Sequence, residues 1–135
     1  MGEVACRALV LEDDRAIAML LKTVLRREGF RAEHVSKGRN AIDCLSSNRY
    51  HLVVIDLMVP DSGELVIEYI KHHQLDVLRS IIVVTAAPNA IRTALRGEYP
   101  EPICKFVAKP FDMHEFVQLV HACKETCDGD HAPSD

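Results

Sequence analysis

Two runs, Leu52-Val53-Val54-Ile55 and Ile81-Ile82-Val83-Val84, are unbroken, apolar and rich in β-branched residues. A strand with one wet face would alternate apolar and polar positions. Unbroken runs of this length belong to strands buried on both faces, as in a parallel sheet with helices on either side. Two further runs fit the same sheet: Ala8 to Leu11, and Ile103 to Val107 with Lys105 interrupting it. Arg31 to Val35 alternates weakly and suits a sheet edge.

Helical patterns lie between these runs. Ile17, Leu20, Leu21, Val24 and Leu25 recur at helical spacing and give one apolar face, and Gly29 suits the position just past that helix. Ser36 is expected to cap a second helix carrying Ala41, Ile42 and Leu45. Leu65, Val66, Tyr69 and Ile70 mark a third. A fourth, weaker helix is expected from about Pro88 to Leu95, and Asp112 caps a fifth with Phe116, Val117, Leu119 and Val120. Five strand-then-helix repeats predict an α/β fold with right-handed crossovers and helices on both faces of a parallel sheet. The expected organisation is one domain over 1–124 and a disordered polar tail over 125–135.

Composition narrows the function. The chain has 135 residues, one domain's worth, and a formal charge of −4, which argues against direct nucleic-acid binding. No apolar run approaches the roughly 18–20 residues of a membrane span, and the first residues lack the pattern of a signal peptide. A cytoplasmic location follows as the expectation. The five cysteines are an odd, scattered set without a C-x-x-C pair, and read as buried free thiols in a reducing compartment.

Ligands of open α/β sheets bind beyond the carboxyl ends of the strands. Here those ends carry Glu12, Asp13 and Asp14 after the first strand, Asp56 after the third, Thr85 after the fourth, and Lys109-Pro110 after the fifth. Asp14 reads as a helix cap. Asp56 ends an apolar run, and an ionised carboxylate half-buried beside Glu12 and Asp13 is costly without a cation. Clustered oxygen ligands suit Mg²⁺. Lys109 and Thr85 would help such a site stabilise an added phosphoryl group on Asp56, since carboxylates act as nucleophiles in aspartyl-phosphate chemistry.

These residues resemble a known family. The stretches Leu9-Val10-Leu11-Glu12-Asp13-Asp14, Val54-Ile55-Asp56-Leu57-Met58-Val59-Pro60, Val83-Val84-Thr85-Ala86 and Phe106-Val107-Ala108-Lys109-Pro110-Phe111 are similar, in order and spacing, to response-regulator receiver domains of two-component signalling. The resemblance covers about residues 5 to 124. It implies a flavodoxin-like three-layer sandwich with strand order 2-1-3-4-5. It implies a phosphorelay in which a histidine kinase or phosphotransfer protein phosphorylates Asp56. Mg²⁺ would be held by Glu12, Asp13, Asp56 and the backbone carbonyl of Met58. Thr85, the Ala86 amide and Lys109 would bind phosphoryl oxygens, and Thr85 with Phe106 would form the switch. The readout surface would be the fourth helix, fifth strand and fifth helix. The chain would be a signalling domain catalysing only its own phosphorylation and dephosphorylation.

Departures from the family pattern occur in two places. Gly63 follows Asp56 by seven residues where eight is usual, so that loop is expected to be one residue short. Gly97-Glu98-Tyr99-Pro100-Glu101-Pro102 replaces the usual small-residue signal before the fifth strand, and its two prolines suggest an extended linker. Competing readings are an aspartate-nucleophile phosphatase, a flavodoxin-like redox carrier, and a degenerate receiver acting only by binding. The phosphatase family wants a second acid where Met58 stands, and Glu12-Asp13-Asp14 would repel a flavin phosphate.

Overall fold

The computed structural model describes residues 5–57, 63–73, 75, 77–86, 105–110 and 112–130. The strands are β1 (Arg7–Leu11), β2 (Arg31–Val35), β3 (Leu52–Asp56), β4 (Ser80–Thr85) and β5 (Lys105–Ala108). The helices described are α1 (Arg15–Arg27), α2 (Gly38–Ser47), α3 (Gly63–His72) and α4 (Met113–Asp130). The strands form one parallel sheet in the order β2-β1-β3-β4-β5. The unbroken runs occupy β3 and β4, the interior of the sheet, and every residue of both strands is buried.

Strand alternation splits the core in two. Ala8, Val10, Leu52, Val54, Ile82, Val84 and Val107 face α1 and α4, packing against Leu21, Leu25, Phe116 and Val120. Leu9, Leu11, Val53, Ile55, Ile81 and Val83 face the other way, against Ala41 and Leu45 of α2 and Val66, Ile67 and Ile70 of α3. Helices thus cover both faces, giving the flavodoxin-like three-layer sandwich. Among the described residues no helix is long and apolar enough to cross a membrane.

The helix ends largely follow the sequence signals. The Asp14 carboxylate accepts from the Ala16 and Ile17 amides at 2.9 and 3.1 Å, so Asp14 is the cap that its position predicted. Gly29, past the end of α1, has φ +100°, which explains a glycine there. The Asp112 carboxylate accepts from the Glu115 amide at the start of α4. Ser36 does not cap α2. The cap position is Lys37, whose carbonyl accepts the first helical bond from Ala41, leaving Ser36 one residue too early.

Two expectations are corrected at the far end of the chain. Residues 125–130 are not a disordered tail but the last turns of α4. Phe116, Val120, Cys123 and Cys127 continue one buried stripe, because a buried cysteine packs as a small hydrophobe. Cys6 and Cys127 are not free thiols. They form a disulfide between the residue before β1 and the penultimate turn of α4, with Cα atoms 6.3 Å apart. Cys44 and Cys123 are free, as expected. Residues 131–135, the expected fourth helix at 88–95, the segment 97–102 and the short loop 58–62 lie outside the described residues.

Candidate phosphoryl-acceptor site

The ends of four strands, β1, β3, β4 and β5, build the site. The Glu12 amide donates to the Val35 carbonyl at 3.1 Å, extending the β1–β2 ladder by one rung. That carries Glu12 inward, and its side chain is fully buried. Its Oε2 accepts from the Asp14 amide at 3.2 Å. Asp56 closes β3 opposite Val84 and is 2% exposed. The Leu57 amide donates to the Val84 carbonyl, and the Lys109 amide to the Thr85 carbonyl at 2.9 Å. The end of β4 therefore fixes both the backbone after Asp56 and that of Lys109.

The Lys109 ammonium donates to Asp56 Oδ2 at 2.8 Å and lies 3.7 Å from Glu12 Oε1. Asp13 is exposed, yet its carboxylate joins the cluster, and one oxygen from each of Glu12, Asp13 and Asp56 lies within 4.8 Å of the others. The electrostatics show the strain of this crowding. Burial pushes the Glu12 carboxyl up to about 7, and the neighbouring Asp56 pushes in the same direction. The Asp14 amide and Lys109 only partly oppose that. Burial would lower the Lys109 pKa, but Asp56, Glu12 and Asp13 outweigh it and hold the ammonium above its ordinary value.

Three carboxyl groups crowd one ammonium, and two of them, on Glu12 and Asp56, are buried. Glu12 Oε1 is buried with no hydrogen-bond partner among the described residues. An all-oxygen donor set with an orphaned carboxylate oxygen fits a hard divalent cation such as Mg²⁺.

The structure brings Glu12, Asp13, Asp56 and Lys109 together as the sequence led one to expect. Thr85, at the end of β4, is 2% exposed. Ala86 is exposed at the same rim. Phe106 is half-buried on β5, opposite Val83, and packs against the core face of α2 and α3. The Met58 carbonyl lies outside the described residues. One contact escaped the sequence reading: His34 Nε2 lies 2.6 Å from the Glu12 carbonyl. Its only signal was a histidine one residue before the end of an edge strand.

Comparison with known proteins agrees with this geometry. The family model for the response regulator receiver domain matches residues 8–121. Transcriptional regulatory protein GltR of Pseudomonas aeruginosa is 30% identical over 115 residues, covering 84% of this chain and 47% of that protein. Cell cycle transcriptional regulator CtrA of Caulobacter vibrioides is 26% identical over 128 residues, 95% of this chain and 54% of that protein. The chain thus spans about half the length of these relatives. The signal receiver domain of a LuxO-type repressor protein from Vibrio parahaemolyticus superposes with a TM-score of 0.77 at 28% identity, covering 94% of this chain and 95% of that one. A CheY-like receiver domain from Methylobacillus flagellatus gives 0.72 at 26% identity, covering 89% and 99%. With the acids at the strand ends and the lysine against Asp56, this chain belongs to the response regulator receiver domain family of two-component signalling.

Proposed function

We propose that Asp56 is the phosphoacceptor of this receiver, taking a phosphoryl group from a phosphohistidine of a histidine kinase or phosphotransfer protein. The observation that carries this is the placement of the Asp56 carboxylate: buried at the end of β3, held by Lys109 at 2.8 Å, and crowded by Glu12 and Asp13. A carboxylate oxygen attacks phosphorus, and the phosphorus–nitrogen bond of the donor breaks with its electron pair leaving on the imidazole. The product is an acyl phosphate, which water later hydrolyses. Glu12, Asp13 and Asp56 would hold Mg²⁺, with the Met58 carbonyl as a further ligand. When bound, Mg²⁺ supplies charge neutralisation for the phosphoryl oxygens. Lys109, whose ammonium sits 2.8 Å from Asp56 Oδ2, contributes a second positive charge. Thr85 and the Ala86 amide supply donors to the phosphoryl oxygens at the end of β4.

On this reading the chain is a switch and not an enzyme acting on other substrates. A new dianion that contacts Thr85 and Lys109 differently in two states shifts their populations. Phe106, half-buried one strand away, is the side chain placed to register that shift. The readout surface then includes β5 and α4. A kinase or phosphotransfer donor places the protein in the cytoplasm, and its target is a protein or an attached output unit rather than nucleic acid.

The test is incubation with Mg²⁺ and acetyl phosphate, followed by intact mass measurement beside Asp56→Asn. A Mg²⁺-dependent gain of one phosphoryl group in the wild type alone is expected. A gain that persists in Asp56→Asn would place the nucleophile elsewhere. No gain in the folded wild type, with acetyl phosphate or a phosphorylated donor protein, would favour a receiver that acts by binding alone.

A further inference from the structure

The acids that crowd this site are held on a short piece of backbone after β1, and its restraints can be followed group by group. Upstream, the Glu12 amide is fixed to the Val35 carbonyl. Downstream, the Asp14 carboxylate caps α1, and the Asp14 amide binds Glu12 Oε2. Between them lies the Glu12–Asp13 peptide, whose carbonyl is met by His34 Nε2 at 2.6 Å. A carbonyl oxygen can only accept, so Nε2 carries a proton and donates. This holds for the neutral ring in that tautomer and for the imidazolium alike.

His34 pairs in register with Val10, so its side chain reaches forward by two residues to find Glu12. The backbone of β2 cannot provide that rung. The strand ends at Val35, and the chain turns through Ser36 and Lys37 into α2. The imidazole therefore replaces a ladder bond just where the acids begin. Because the peptide is planar, fixing its carbonyl also fixes the Asp13 amide and the direction in which the Asp13 Cα leaves. Asp13 is exposed, so packing does little to aim its carboxylate.

We propose that His34 is a positioning residue of the phosphoacceptor site, its Nε2–H holding the Glu12 carbonyl so that the carboxylates of Glu12 and Asp13 are presented together to a divalent cation. This rests on the phosphoacceptor reading above. Mg²⁺ demands near-ideal octahedral geometry, so a small loss of aim at one carboxylate costs affinity. His34 lines a surface cleft with Arg15, Ala16 and Lys22, which leaves room for other side chains at this position.

The experiment compares wild type with His34→Gln, His34→Asn and His34→Leu. A glutamine amide nitrogen stands as many bonds from the backbone as Nε2 does, whereas an asparagine amide stops one bond short. Mg²⁺ affinity is measured by calorimetry, and thermal unfolding is followed without Mg²⁺. The expectation is that His34→Gln stays within about twofold of wild type while His34→Asn and His34→Leu bind about fivefold more weakly, the effect of one hydrogen bond. Phosphorylation of the weaker two by acetyl phosphate should lag at limiting Mg²⁺ and recover at saturating Mg²⁺. Wild-type Mg²⁺ affinity in His34→Asn or His34→Leu would overturn the proposal, as would a loss in His34→Gln equal to that in His34→Leu. If the wild type itself neither binds Mg²⁺ nor gains a phosphoryl group, the phosphoacceptor reading fails first, before any variant is compared.

Discussion

Glu12 shows what a single residue gives up for this site. It is fully buried beside Asp56, and its carboxyl is raised from 4.5 to about 7. A raised carboxyl favours the folded state only while protonated. Its contribution is complete below pH 4.5 and is lost as pH rises through about 7. Replacing it with an amide of the same shape removes the burden. Glu12→Gln without Mg²⁺ is therefore expected to be more stable than wild type by about 1–3 kcal/mol near pH 8, with the gap mostly gone near pH 4.5. Denaturant titration at the two pH values checks this. Mg²⁺ should raise the unfolding temperature of wild type by mass action and leave Asp13→Asn much less affected. An equal rise in both would remove Asp13 from the ligand set.

At the scale of elements, the seam between α1 and α4 carries two features with measurable consequences. Gly29 has φ +100°, and a Cβ there would sit 2.8 Å from Lys124 Cε. The lysine tip can move aside, but the backbone conformation still disfavours a side chain. Gly29→Ala should cost about 1–2 kcal/mol in equilibrium unfolding. Nearby, His121 on α4 meets Glu28, the C-cap residue of α1, at 2.8 Å and Glu125 at 3.5 Å. The Glu28 contact, then the charges of Glu125 and Glu28, raise the His121 pKa above 6.5. The ion pair is therefore complete below pH 6.5 and is lost as pH rises through the folded value. His121 is on the surface, so the effect is small. Unfolding temperatures from about pH 6 to about pH 9 should fall slightly more in wild type than in His121→Gln. Identical profiles would show that the seam ignores this histidine.

For the molecule as a whole, the Cys6–Cys127 disulfide ties the start of the sheet to the end of the last helix, across 121 residues of sequence. A crosslink that closes so long a loop restricts the unfolded chain strongly. Reduction should lower stability by about 2–4 kcal/mol. Peptide mapping without reductant should recover Cys6 and Cys127 in one linked pair, and the effect of reductant on unfolding should vanish in the Cys6→Ala, Cys127→Ala double variant. Both sulfur-bearing residues are buried, at 3% and 1% exposure, so reductant should act slowly unless the end of α4 opens. The same bond anchors the turns of α4 beyond residue 124, where charged and small residues outnumber apolar ones.

The parts legible in the sequence were those with a local physical cause. Unbroken apolar runs demanded burial on both faces, and β3 and β4 lie in the sheet interior. Asp14 and Gly29 stand where capping chemistry and a left-handed backbone require them. Acids after strands one and three fall at one rim because parallel strands share a direction, so Glu12, Asp13, Asp56 and Lys109 could be grouped from their order alone. Contacts that depend on exact placement between elements were not legible. Ser36 missed its cap by one residue of turn geometry. The cysteine pairing and the length of α4 depend on where the last turns of the helix come to lie against the chain before β1. The hydrogen bond from His34 to Glu12 depends on the register of β2 against β1. Periodicity determines which face of an element is buried. Only the packed fold decides which atom on that face meets which, because that distance is set by the whole chain between them.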